Sequence, residues 1–255
     1  MISVFKYILT DILRNRVMIF YTMLLLIITF SVFNLEDTSS KGMITMLSII
    51  LLIIPLVSII FSTIYIYNST EFIELILSQP INRKSIWLSL YFGLSISLGI
   101  SFLIGSGLII ILFSPDAKGI MLLSIGVSLS FIFSSIAMLV SVLTRDKAKG
   151  MGIAILLWLY FSVIFDGVLL FASFQFSDYP IEKGMVLLSM LNPIDLSRVL
   201  MLMQYDISAL MGYSGAIFKN YFGTDWGMVL SGTSIFLWVI LPLYSSVRLF
   251  SKKDL

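Results

Sequence analysis

Two residue types that carry much of polar enzyme chemistry are missing: the chain has no cysteine and no histidine. The first absence excludes disulfides, thiolate metal sites and thiol nucleophiles. The second excludes imidazole bases, a Ser-His-Asp triad and haem held by an axial histidine. Without cysteine, the redox compartment leaves no mark on the sequence. Charge is nearly as scarce, since Asp, Glu, Lys and Arg make up 12% of the chain, against about 25% in soluble domains. A net charge of +2 gives no broad basic surface, so no nucleic-acid partner is expected.

What is present is apolar: 59% of the 255 residues are hydrophobic. A soluble core cannot hide that much greasy surface, so the lipid bilayer is the expected solvent. A transmembrane helix needs about 20 apolar residues. Six stretches qualify, at about 17–33, 43–67, 86–114, 119–143, 151–175 and 228–249. The first follows Lys6, Arg14 and Arg16, the charge pattern of a signal peptide. It leads into "FNLEDTSSKG", which has no small-residue cleavage site, and is read as a retained span. No internal repeat, low-complexity tract or linker divides the chain. The expected fold is an all-α integral membrane protein, one domain over 1–255 with six transmembrane helices.

Eleven of the sixteen Lys and Arg residues fall on one side of this layout: Lys6, Arg14, Arg16, Arg83, Lys84, Arg145, Lys147, Lys149, Arg248, Lys252 and Lys253. Lys41, Lys118, Lys183, Arg198 and Lys219 fall on the other, over longer stretches. Positive charge stays with the cytoplasm, so both termini are expected there.

Three segments carry more than span signal. In "MISVFKYILTDILRNR", Ile2, Phe5, Leu9, Ile12 and Leu13 recur at helical spacing opposite Lys6, Thr10 and Arg14. This predicts an amphipathic helix over 1–16 lying at the membrane surface, either as a lipid anchor or as a brace. Between the second and third spans, "EFIELILSQPINRKS" is too apolar for a loop and too short to cross a bilayer. Ser69 or Thr70 can cap it, Glu71 and Glu74 favour its N-terminal end, and Pro80 ends it. The prediction is a helix of about eight residues, which water alone does not stabilise. It must dock, against headgroups or in a groove of another protein, with the two carboxylates and Phe72 as handles. The third segment, 176–227, is mildly apolar. There Asn192 caps, Pro193 takes the first turn and Asp195 favours the start of a short helix, and Asp195 can pair with Arg198. A second short helix is predicted near Asp206–Met211. Together these two would graze the outer membrane face as a lid or a structural cap.

Inside the membrane, Ser89, Gly93, Ser97, Ser101 and Gly105 recur every fourth residue. Small residues at that spacing let helices approach closely in lipid. Serines 124, 128, 134 and 135 of the fourth span read the same way. Asp166, in "VIFDGVLL", is the one ionisable residue well inside a span. A charge there costs about 2.5–3.5 kcal/mol on insertion scales. It is either a pathway or gate residue or a hydrogen-bonded structural carboxyl nearer the outer interface.

The stretch "STEFIELILSQPINRKSI" resembles the coupling-helix segment of type-2 ATP-binding-cassette (ABC) exporter permeases, with its acidic residue, Leu-Leu-like stretch and Gln-Pro-Ile-x-Arg end. The six spans, the N-terminal elbow helix and the long outer segment resemble that family in layout. The resemblance implies a short cytoplasmic coupling helix that inserts into a cytosolic ABC ATPase dimer. Its contacts would come from Glu71, Phe72, Glu74, Leu75, Gln79, Pro80 and Arg83. It also implies a second copy of the chain, short outer helices carrying Asn192, Pro193, Asp195 and Arg198, and a bacterial inner-membrane location. The chain has no G-x-x-x-x-G-K-[ST]; the nearest stretch, "GYSGAIFK", has the wrong spacing. ATP and Mg are therefore expected in the partner ATPase and no cofactor in this chain. The outer segment "LNPIDLSRVLMLMQYDISALMGYSGAIFKNYFG" further resembles the NosY-type permeases of nitrous-oxide reductase maturation. That implies export of a sulfur-containing species for a copper-sulfide cluster, with a periplasmic cargo-receiving protein.

Other readings stand beside this one. The cargo could be a lipid, peptide or drug. An ion-coupled secondary carrier could use Asp166, although carriers tend to show several buried charges and duplicated halves. An intramembrane enzyme is disfavoured, because Ser106 has no histidine and Asp166 no second intramembrane aspartate.

Overall fold

In a computed structural model the chain is a helical bundle, described for residues 2–36, 38–78, 82–175, 184, 188–203 and 225–252. An N-terminal helix, Ile2–Arg14, precedes span 1, Arg16–Leu35, and span 2, Ser39–Asn68. A short helix, Thr70–Leu77, leads to span 3, Arg83–Phe113. Span 4 is Ala117–Leu143. Span 5 runs through Lys147–Leu159, a π turn at Tyr160–Ile164, and Phe165–Gln175. A further helix, Pro193–Met203, precedes span 6, Asp225–Lys252. Among the described residues six helices are thus long and apolar enough to cross a membrane, as the sequence predicts. The predicted second short helix at Asp206–Met211 lies outside the described residues.

Each of the first five spans starts on a residue whose side chain accepts from a free N–H of the first turn. These are Asn15, Thr38, Asn82, Asp116 and Asp146. The first turn of a helix leaves its N–H groups without carbonyl partners, and a short polar side chain satisfies one of them. This is why the breaks between the spans can be so short. The described breaks fall on two faces of the bundle. The base holds the N-terminal helix, the short helix, the 144–146 turn and the end of span 6. The top holds the 114–116 turn and the helix from Pro193.

Span 4 is the centre. Its apolar window is 78% buried, against 17% for spans 5 and 6 and 28% for span 1. It packs against spans 2, 3 and 6, while the outer faces of spans 1, 5 and 6 are left for lipid or another protein. Direct hydrogen bonds between its neighbours are few. The Ser62 hydroxyl donates to Ser134 at 3.3 Å, and the Tyr91 hydroxyl to the Phe131 carbonyl at 3.2 Å. Several buried serines donate back into their own helix, as Ser95 and Ser130 do.

The small-residue column of span 3 is a contact ridge. A Cβ on Gly93 would meet Ile8 Cγ2 of the N-terminal helix at 2.5 Å, and one on Gly105 would meet the Thr22 carbonyl of span 1 at 2.8 Å. The N-terminal helix is therefore packed onto the bundle through Ile8 and Ile12, both fully buried. Its buried face centres on Ile8, which the amphipathic pattern omitted.

Gly126 of span 4 is filled against the Phe102 ring of span 3, where any Cβ would overlap it. Phe102 is fully buried. Gly126→Ala is expected to destabilise the protein by roughly 1–3 kcal/mol through overpacking. Gly152, with nothing within 4 Å of a Cβ, is the control. Gly152→Ala should be neutral or stabilising by up to about 1 kcal/mol. Unfolding midpoints in detergent check the pair.

Candidate functional site

The short helix at the base has the length and position the sequence predicts. Its N-terminal cap differs. Ser69 makes no side-chain capping bond, and the Thr70 hydroxyl donates back to the Tyr67 carbonyl at 2.8 Å. The helix start is held instead as a continuation of span 2, with the Ser69 amide on the Tyr65 and Ile66 carbonyls. Ile73 and Ile76 face the bundle and are buried. Phe72 is half-buried and stacks on Tyr7 of the N-terminal helix, ring centroids 5.3 Å apart. Glu71, Glu74 and Ser78 are exposed, and Leu75 is 68% exposed. Positions 71, 74, 75 and 78 share one face of a helix. The free ridge is therefore Glu71, Glu74, Leu75 and Ser78, with Phe72 serving as an internal brace. Gln79 and Pro80 lie outside the described residues. Arg83 is the exposed first residue of span 3, one position after its Asn82 cap.

Around this helix the base is cross-tied. The Tyr65 hydroxyl donates to Asp11 of the N-terminal helix at 2.9 Å. The Tyr67 hydroxyl donates to the Thr144 carbonyl at 3.1 Å and also meets the Thr144 hydroxyl. Lys147 Nζ donates to Asn68 Oδ1 at 2.7 Å. Trp87 stacks on Phe250 at 4.1 Å and donates to the Ser246 hydroxyl at 3.2 Å. Between these ties lies a cleft of about 280 Å³. Ile66 and Tyr67 of span 2 form one wall, with Thr70, Ile73 and Glu74 of the short helix beside them. Trp87 and Phe250 form the floor, and Ser141, Val142, Thr144 and Arg145 close the far side.

At the top, Asp166 has an ionic partner that sequence spacing did not supply. Arg198 Nη1 lies 2.6 Å from Asp166 Oδ2 and 3.8 Å from Asp195 Oδ1. Asp195–Arg198 is thus the looser of the two contacts. Asp166 Oδ1 is buried without a hydrogen-bond partner among the described residues. Burial pushes the Asp195 carboxyl above the usual carboxylate range, against the opposing pull of a Ser189 hydrogen bond and of Arg198. Asn192 caps as predicted, accepting from the Ile194 amide at 2.9 Å. Its Nδ2 also donates to the Phe161 carbonyl at 2.7 Å. Phe161 lies in the π turn of span 5, a wide turn that disturbs the regular ladder and frees carbonyls.

One expectation about this region is corrected. The helix from Pro193 does not graze the surface: Asn192, Ile194, Leu196, Ser197, Val199 and Met201 are buried among spans 2, 4, 5 and 6. Its apolar side chains pack among the spans, and its polar ones are held there by hydrogen bonds and the Arg198 ion pairs. Beside it, Ser48, Leu52, Ser162 and Arg198 line a crevice of about 90 Å³. Among the described residues no cluster of three or more acidic side chains gathers to hold a metal.

The signals that sequence reasoning missed were weak ones. Tyr7, Tyr67, Trp87 and Phe250 sit at no spacing that marks them as contact residues. Arg198 sits far along the chain from Asp166, beyond any periodicity argument.

Comparison with known proteins gives this architecture a family. A family model described as "ABC-2 family transporter protein" matches residues 3–255. A relative from Pseudomonas aeruginosa, described as "Probable ABC transporter permease protein NosY", is 29% identical over 148 residues, 54% of each chain. That similarity spans about half the length of the relative. With the family match running from the N-terminal helix through span 6, this chain belongs to the ABC-2 transporter family and is a multi-pass membrane protein of that family.

Proposed function

We propose that this chain is the permease subunit of an exporter driven by a separate cytosolic ABC ATPase dimer, docked at the base of the bundle. The observation that carries this reading is the free ridge of the short helix. Glu71, Glu74 and Leu75 stand exposed while Ile73, Ile76 and Phe72 hold the helix down. Headgroups alone would reward a basic ridge, since cytoplasmic leaflets are anionic. Two carboxylates beside one exposed leucine suit a protein groove with basic walls. The base is also the cation-rich end, which supports a cytoplasmic position for it and for both termini. The exposed apolar faces of spans 1, 5 and 6 leave room for a second copy, and a homodimer would form the pathway between the two bundles. The membrane is a bacterial inner membrane.

The narrower part of the proposal concerns cargo. Similarity to a NosY protein supports export of a sulfur-containing species, used with a periplasmic maturation protein to build the copper-sulfide cluster of nitrous-oxide reductase. A lipid, peptide or drug cargo is the competing reading. An ion-coupled carrier is less favoured, because Asp166 already holds a fixed countercharge in Arg198. We assign that pair, with Asn192 on the Phe161 carbonyl, to a latch joining span 5 to the helix at Pro193–Met203.

Three outcomes test this. Leu75→Asp and Glu74→Lys should each abolish co-purification of the ATPase while leaving the protein inserted. Tyr7→Ala, which is off the ridge, should weaken the complex only partly by loosening Phe72. A complex that survives both ridge variants rejects docking there. Asp166→Asn should lower stability by roughly 1–3 kcal/mol, between the values for exposed and buried pairs. The charge swap Asp166→Arg with Arg198→Asp should restore at least half of that loss in unfolding midpoint. Disruption of the gene should yield nitrous-oxide reductase without its copper-sulfide cluster; a normal cluster would reject the sulfur cargo and keep the transporter.

A further inference from the structure

We infer that the cleft behind the short helix is the second half of the ATPase seat, taking one bulky apolar side chain of that ATPase between Glu74 and Arg145. The inference rests on the docking reading above and extends it from a ridge to a socket. The occupant's size follows from the volume. About 280 Å³ falls below the roughly 300–1,000 Å³ of typical small-molecule sites. It suits a large side chain, the kind of anchor that dominates protein interfaces when it fills a desolvated pocket.

The chemistry of the walls sets the rest. The floor is apolar and aromatic, from Ile73, Trp87 and Phe250. The rim carries both signs, with Glu74 on one side and Arg145 on the other. An anionic phospholipid headgroup is drawn by Arg145 and repelled by Glu74, so this rim gives it no net attraction. A protein side chain flanked by one basic and one acidic neighbour meets both charges favourably. The rim is continuous with the ridge, because Glu74 belongs to both.

The cleft also reaches what the ridge cannot. Its walls are the end of span 2, the short helix, the start of span 3, the turn after span 4 and the end of span 6. The Tyr67–Thr144 and Trp87–Ser246 bonds tie these walls together. A side chain wedged among them bears on four span ends directly, whereas a push on the ridge reaches the spans only through the short helix and its neighbours. The ridge therefore supplies attachment and the cleft supplies coupling.

The test uses the purified complex of the full chain with its ATPase. Ser141→Trp fills the cleft from the span 4 side and leaves the ridge untouched. It should weaken ATPase binding at least tenfold, with an unfolding midpoint near that of the unmodified protein. Independently, p-benzoylphenylalanine in place of Arg145 should form a photo-adduct with the ATPase, and this measurement decides alone if Ser141→Trp does not fold. An adduct only with phospholipid or with this chain overturns the inference, as does unchanged affinity of a folded Ser141→Trp. In either case loss of the complex in Leu75→Asp leaves ridge docking standing. If Leu75→Asp keeps the complex, the docking reading falls and the cleft inference falls with it.

Discussion

Lipid gives helices no hydrophobic reason to associate, because acyl chains are as apolar as leucine side chains. Everything else in this protein depends on how closely the helices approach span 4. Gly126 receives the Phe102 ring, and on the next helix Gly93 receives Ile8 and Gly105 the backbone of span 1. Dispersion at such contacts is small per atom and large in sum. The hydroxyl bonds between spans are few and long, so close packing carries the centre of the bundle.

At the base the same packing becomes mechanical. The N-terminal helix is seated by Ile8 on Gly93, and through Tyr7 and Asp11 it holds Phe72 and Tyr65. The short helix has only eight residues, far too few to persist alone in water. Its position is thus set by neighbours on both sides, which lets a push on its free ridge be felt in the spans. At the top a different device serves the same end. The π turn of span 5 gives up a carbonyl to Asn192, and Asp166 is neutralised by Arg198. A lone carboxylate within a span is costly; one paired with a guanidinium is a joint between two elements.

Much of this was legible in the residues because it is local. Twenty-residue apolar runs and the Asn192–Pro193 start depend only on near neighbours in the chain. The short helix between Ser69 and Pro80 was legible for the same reason. Asp166 was also legible as an exception, since one charge in an apolar run stands out. Its partner was not, because Arg198 lies across a helix-to-helix contact, and a nearer carboxylate, Asp195, was available to pair with it.

The sequence by itself determined the solvent, the number of spans, the cation-rich end and the place of the short helix, because each is a property of composition or of one continuous segment. Only the tertiary structure decided that Phe72 faces Tyr7 while Leu75 stays free, that the helix from Pro193 is buried rather than lying on the surface, and that span 4 is the centre. In lipid every face of a span can be apolar, so periodicity does not say which face meets protein. That choice is made by shape, where a missing Cβ on one helix admits a side chain of another.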